Sequence, residues 1–155
     1  MQEEYKVVAH DIEETIELAQ NIESEKFPNM VICLNGDLGS GKTVFTKAFA
    51  SAMAIPEITS PTFNIIKEYA GELPLYHMDM YRTDGKVEDL GLEEYFNKEG
   101  VTIIEWADMI EDYLPKERLE IEFKIIDENT RAIYLKPYGD KYISICEEVI
   151  WYVYL

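Results

Sequence analysis

Gly36-Asp37-Leu38-Gly39-Ser40-Gly41-Lys42-Thr43 decides how this chain is read. The stretch fits G-x-x-x-x-G-K-[ST], a loop whose backbone N–H groups cradle nucleotide phosphates. Upstream, Met30-Val31-Ile32-Cys33-Leu34 is a short apolar run of the buried-strand type. Downstream, Val44, Phe45, Ala48, Phe49 and Ala52 recur at helical spacing. Strand, loop and helix therefore come in the order that phosphate binding requires. A chance glycine-rich turn would not bring both flanks with it. Glycines without a Cβ let consecutive N–H groups turn inward onto oxyanions, and the helix that follows points its positive end at the same place. Lys42 adds a point charge for β and γ oxygens, and the Thr43 hydroxyl suits Mg²⁺. The expected nucleotide contacts are Asp37, Leu38, Gly39, Ser40, Gly41, Lys42, Thr43 and Val44.

The 155 residues fit one α/β domain with a substantial core. Apolar residues make up 47% and charged residues 29%, the balance of a soluble globular protein. There is no apolar run of about eighteen residues and no signal-peptide pattern, so a cytoplasmic location is expected. The two cysteines, Cys33 and Cys146, form neither a disulfide framework nor a zinc cluster. A formal net charge of −17 repels phosphodiester backbones and anionic lipid, which argues against direct binding of nucleic acid or membrane. Such a surface serves solubility or a basic protein partner.

Tyr5 to Ala9 alternate as a short edge strand. Asp11 then caps a helix, with Glu14 three residues on and an apolar stripe of Ile12, Ile16 and Ala19. His10 beside it reads as a surface or cap residue. After the loop helix, Phe63 to Tyr69 and Leu75 to Met80 read as strands. The connection Ala70-Gly71-Glu72-Leu73-Pro74 is too short for a parallel crossover, so the pair is antiparallel and the sheet mixed. Val87 to Phe96 suits a helix, Val101 to Glu105 a buried strand, and Ala107 to Leu114 a short helix stopped by Pro115. Leu119 to Ile126 and Arg131 to Leu135 flank a turn at Asp127-Glu128-Asn129-Thr130, the signature of a hairpin. Tyr142 to Leu155 reads as a packed terminal helix, whose Trp151, Tyr152 and Tyr154 serve core packing or a partner. The expected fold is a three-layer sandwich like that of P-loop NTPases, with a mixed central sheet that includes antiparallel hairpins.

A phosphate loop needs a carboxylate near its magnesium, delivered by the last residue of a buried strand. Asp79 ends one such strand and Glu105 another, and spacing leaves their roles interchangeable. Thr62, in Ser60-Pro61-Thr62-Phe63, is a candidate for the γ-phosphate or simply a strand start. Arg82 is a candidate for phosphate charge or for pairing with an acid. His77 shares a strand face with Asp79 and reads as hydrogen-bonded structure. Trp106 is either a core aromatic or a cover for the site.

A small-molecule kinase would need cations around both anions, and this chain has three arginines, Arg82, Arg118 and Arg131. A GTPase would need D-x-x-G, yet no Asp stands three residues before a Gly. Asn97-Lys98-Glu99-Gly100 starts like a guanine motif but lacks its aspartate. What remains is a compact ATPase coupled to a partner.

The succession Gly36-Asp37-Leu38-Gly39-Ser40-Gly41-Lys42-Thr43, Ser60-Pro61-Thr62-Phe63, His77-Met78-Asp79-Met80-Tyr81-Arg82 and Ile104-Glu105-Trp106-Ala107-Asp108 resembles the TsaE family. These are bacterial ATPases of tRNA threonylcarbamoyladenosine biosynthesis. The resemblance runs from the Asp11 helix to the Leu119–Leu135 hairpin and fades in the tail. It implies ATP and ADP as ligands, Mg²⁺ as cofactor, and TsaB and TsaD as partners, with tRNA met only through the complex. TsaD transfers the threonylcarbamoyl group; ATP hydrolysis by the TsaE component resets the complex between turnovers. Carried onto this chain, Lys42 and Thr43 hold phosphate and magnesium, Asp79 and Glu105 form the metal and water site, and Thr62 acts as a switch threonine. Trp106 falls in the mobile, partner-sensitive region. A monomer is expected when the chain is free.

Overall fold

The computed structural model describes residues 4–59, 65–81, 83 and 86–153, the last three of these as backbone. Seven strands are β1 (Tyr5–Ala9), β2 (Met30–Gly36), β3 (Ile66–Tyr69), β4 (Leu75–Asp79), β5 (Val101–Glu105), β6 (Arg118–Ile125) and β7 (Arg131–Tyr138). Four helices are α1 (Ile12–Glu23), α2 (Lys42–Ala52), α3 (Leu92–Phe96) and α4 (Asp140–Val153). The strands lie in the order β1-β7-β6-β2-β5-β4-β3. The central β6, β2, β5 and β4 are parallel, while β3 pairs antiparallel with β4, and β7 with both β6 and β1. The sheet is therefore mixed, as the short connection before Leu75 requires.

Strand β2 explains why this arrangement is stable. Its first five residues, Met30 to Leu34, are all buried, as expected of a strand covered on both faces. Met30, Ile32 and Leu34 belong to one core with Leu18, Ile22, Phe45, Phe49, Ile145 and Val149, beneath α1, α2 and α4. Val31 and Cys33 face a second core with Tyr76, Met78, Leu92, Phe96 and Ile104 on the opposite side. The sheet thus sits between two apolar layers, and it fixes the three-layer reading. Full burial pushes the Cys33 thiol upward in pKa, so it behaves as a small apolar filler.

Helix α1 is capped as its sequence indicates: Glu14 N–H donates to Asp11 Oδ1 at 2.9 Å, and His10 N–H donates back to Glu14 Oε1 at 2.6 Å. The His10 backbone bond, above all, and then the His10 side chain hold the Glu14 carboxyl below its usual range. Its buried face differs from the expected stripe. Thr15, Leu18, Ala19 and Ile22 are covered, whereas Ile12 is 62% exposed because it occupies the first helical position, at the sheet edge.

Val87 to Phe96 does not form one helix. Gly91 takes the left-handed conformation at φ 68°, ending a 3-10 turn at Glu88–Leu90 before α3 begins. Ala107–Tyr113 is likewise a 3-10 helix, kinked at Ile110. Strand β7 runs three residues past the expected Leu135, to Tyr138. Its Pro137 is tolerated because β1 pairs with β7 only as far as Leu135, leaving that flank open. The terminal helix forms as expected and buries Tyr142, Ile145, Cys146 and Val149. The side chains of Trp151, Tyr152 and Tyr154 lie outside the described residues. No helix among the described residues is long and apolar enough to cross a membrane.

One hydrogen bond fastens α4 to the central strand. Strand β6 joins β2 from Ile32 onward, and the buried Val31 N–H instead donates to Tyr142 Oη at 2.9 Å. Burial of that phenol pushes its pKa up to about 12. Tyr142→Phe strands a buried donor, so urea denaturation should show a loss of about 1–3 kcal/mol. An unchanged midpoint would mean that the Val31 N–H finds another acceptor.

Candidate functional site

The sheet's parallel strands all end on one side, and there the loop from Gly36 to Thr43 turns over. Gly36 has φ 152°, and an added Cβ would stand 2.6 Å from Ser40 Oγ and 2.8 Å from the Phe123 carbonyl oxygen. Neighbouring backbone leaves that position no room for a side chain. Ser40 N–H donates to the Asp37 carbonyl at 3.0 Å, and Phe45 N–H to the Gly41 carbonyl at 2.9 Å, opening α2 directly behind the loop. Phe123 of β6 lies under the loop, packed edge-on against Phe45 with ring centroids 6.0 Å apart.

A cavity of about 360 Å³ opens at this edge. Its walls include Leu38, Gly39, Ser40, Gly41, Lys42, Thr43 and Val44, together with Asp79 and Glu105. Nine expected positions thus meet in one hollow. Asp37 takes part through its backbone: Lys42 Nζ donates to the carbonyls of Gly36 and Asp37, the latter at 3.1 Å. Thr62 and Arg82 lie outside the described residues. His10 stays exposed, with Nδ1 2.8 Å from Glu14 Oε1.

Lys42 is 5% exposed. Burial depresses the pKa of its ammonium, and Glu105, Asp37, Asp79 and Asp108 partly oppose that shift. The ammonium also lies 4.0 Å from the centroid of the Trp106 ring. Trp106 itself stands at φ 59° and ψ 41°, a conformation that costs a non-glycine residue roughly 1–2 kcal/mol. Its N–H donates to the Leu34 carbonyl at 2.9 Å, and its ring meets Tyr81 at 4.8 Å. The residue is both a cover for Lys42 and a partner to the second core.

The two acids differ in setting. Asp79 is half-buried, and its Oδ1 accepts the Tyr81 N–H at 3.0 Å. Glu105 is only 6% exposed, and its Oε2 lies 2.5 Å from His77 Nε2. Parallel pairing sets Asp79 directly opposite Glu105. With the Thr43 hydroxyl they form a hard-oxygen set of the kind Mg²⁺ takes, which typically needs one or two carboxylates and completes its shell with phosphate and water. Among the described residues no three His, Cys, Asp or Glu side chains gather closely enough to hold a metal alone. Ser40 Oγ, buried in the loop with no hydrogen-bond partner among the described residues, offers a further group for phosphate oxygen.

Sequence reasoning missed the far wall, formed by Asp11, Ile12, Thr15, Glu128, Asn129 and Arg131. The Arg131 guanidinium donates to the Asp127 carbonyl at 2.7 Å and to the Gly39 carbonyl at 3.2 Å, tying the last hairpin to the loop. The hairpin turn is held by Asp127 Oδ1, which accepts from Asn129 and Thr130 N–H groups. The signal available was topological. A strand placed parallel to β2 carries its following turn to the same edge.

Fold and loop together define a P-loop-like α/β protein. The chain belongs to the TsaE family: the family model described as threonylcarbamoyl adenosine biosynthesis protein TsaE matches residues 9–133. It is 50% identical over 139 residues to the tRNA threonylcarbamoyladenosine biosynthesis protein TsaE of Bacillus subtilis, covering 88% of each chain. A Rickettsia felis protein of the same description is 35% identical over 130 residues, covering 81% of this chain and 75% of that one. The crystal structure of Bacillus subtilis YdiB superposes with a TM-score of 0.86 at 43% identity, covering 98% of this chain and 97% of the other.

The loop geometry predicts a contrast between two alanine variants. Gly39→Ala meets nothing within 4 Å and carries only the left-handed backbone cost, roughly 1–2 kcal/mol. Gly36→Ala should cost clearly more in chemical denaturation, because its Cβ collides with a backbone oxygen. Equal losses would show that the loop yields freely.

Proposed function

We propose that this chain is a Mg²⁺-dependent ATPase of tRNA threonylcarbamoyladenosine biosynthesis, acting on a TsaB–TsaD complex rather than transferring the group itself. The observation that carries the reading is the meeting of loop, Thr43, Asp79 and Glu105 at one cavity. Loop N–H groups and Lys42 would bind the phosphate oxygens, with the start of α2 behind them. Thr43 and one or both acids would hold Mg²⁺, which supplies neutralisation of the charge that develops between the β and γ phosphates. The remaining carboxylate capacity would orient the attacking water. Ile12 and the Asn129 turn, on the opposite wall, would contact the nucleoside. ADP would stay bound through the loop after the γ-phosphate has left.

Hydrolysis without a partner is expected to be slow, and Arg131, the arginine that lines the cavity, is committed to the carbonyls of Asp127, Thr130 and Gly39. The net charge of −17 suits a protein that meets tRNA through TsaB and TsaD. A single domain spanning residues 1–155, monomeric when free and working in the cytoplasm, completes the proposal.

Lys42→Ala should abolish the rise in melting temperature that ATP with magnesium gives the parent protein. Asp79→Ala and Glu105→Ala should each lower hydrolysis by about a hundredfold or more while ADP still binds. Full turnover in either variant removes that acid from the site. Purified TsaB and TsaD should associate with the chain and raise its ATPase rate; absence of association in a pull-down and of stimulation would end the partner assignment.

A further inference from the structure

A buried histidine stands directly behind the candidate metal ligand. Strands β4 and β5 run parallel with His77 opposite Ile103 and Asp79 opposite Glu105. His77 and Glu105 are therefore diagonal neighbours on the sheet face that also carries Leu75 and Ile103 towards α2. Their side chains are 2% and 8% exposed, and Nε2 lies 2.5 Å from Oε2. A carboxylate this deep is costly unless hydrogen-bonded, and Nε2–H donation supplies the bond.

The other ring nitrogen makes the arrangement informative. Nδ1 is buried and has no hydrogen-bond partner among the described residues. Leaving a buried polar atom unpaired costs about 1–3 kcal/mol. An apolar side chain would avoid that cost if the position served packing alone. Lys42 does not take over the role, because its ammonium is bonded to the Gly36 and Asp37 carbonyls. What His77 accomplishes is to hold one oxygen of Glu105.

We propose that His77 is a positioning residue: it anchors Glu105 Oε2 within the sheet, so that the carboxylate is fixed in orientation towards the cation that accompanies the nucleotide. This inference rests on Glu105 being a ligand of that cation. Groups that hydrogen-bond metal ligands typically contribute 10–100-fold in metal affinity or activity, and His77 is such a group for a carboxylate.

The test compares His77→Leu, which removes the donor, with His77→Gln, whose amide reaches nearly as far as Nε2, and His77→Asn, whose amide falls short. Magnesium is titrated against each protein with saturating ADP, and thermal stabilisation is read alongside ADP affinity in chelator. His77→Leu and His77→Asn should raise the magnesium concentration needed by about 10–100-fold, with chelator affinity for ADP unchanged and the magnesium demand largely restored in His77→Gln. Should His77→Leu fail to fold, the Asn and Gln pair carries the comparison. A magnesium requirement equal to the parent's in His77→Asn, or equal shifts in Asn and Gln, overturns the positioning role. Glu105→Gln separates the two levels. If it too leaves the magnesium requirement unchanged, the metal site itself falls; if it shifts the requirement and the histidine variants do not, only the role of His77 falls.

Discussion

The structure depends on the register of β2 between its two parallel neighbours. Leu34 lies opposite Glu105 on one side and Ile121 on the other, and Gly36 lies opposite Phe123. These pairings place a carboxylate beside the start of the glycine-rich loop and an aromatic ring beneath it. Side chains alternate along a strand, so a slip of one residue would turn Glu105 to the opposite face and seat a different β6 side chain at Gly36. The slip is opposed by both cores at once, since Ile32 and Leu34 fill one and Val31 and Cys33 the other. The geometry of the site is thus a by-product of apolar packing on two sides of one strand.

The polar groups at the sheet edge are linked as closely as the core. Lys42 bonds the first two loop carbonyls and lies against Trp106, Trp106 reaches back to Leu34, and Asp108 N–H donates to Asn35 Oδ1 at 2.9 Å. Glu105 bonds His77 in the next strand, and Arg131 closes the circle from the hairpin to Gly39. Each element that ends at this edge therefore contributes a hydrogen bond or ring contact to a neighbour. The left-handed Trp106 sits at the crossing point, where β5 ends and its chain must turn sharply over Lys42. Strain of this kind persists only where surrounding contacts over-determine it.

Much of this was legible before any coordinates. The loop, its flanking strand and helix, and the paired strand-end acids follow from apolar periodicity and local motif, which are short-range signals. The antiparallel β3–β4 pair followed from a connection too short to cross over. The helix expected from Val87 to Phe96 was misread because Gly91 interrupts an otherwise periodic stretch, and periodicity does not register a single backbone reversal; the one expected from Ala107 forms, but as a 3-10 helix kinked at Ile110. Ile12 was assigned to the core because its spacing fits, although the first turn of α1 projects over the sheet edge. The wall from Glu128 to Arg131 was invisible for a different reason. Its position depends on β6 lying next to β2, a pairing between residues about ninety apart in the chain that no local pattern encodes. His77 falls between these cases: the shared face with Asp79 was readable, but contact with Glu105 required the parallel alignment of β4 and β5.

The strand order bears on how the protein comes into being during synthesis. The central strand, β2, waits for β5 and β6, and the first strand, β1, finds its partner only in β7. Arg131, which fastens the hairpin to the loop, is the first residue of that closing strand. A ribosome that has released the first hundred residues has therefore produced the glycine-rich loop with neither flanking strand in place. Pairings this distant in the chain are slow to form, because the ends must be brought together before any contact repays the lost chain entropy. The cavity should consequently be completed late and all at once, as β7 folds back along β1.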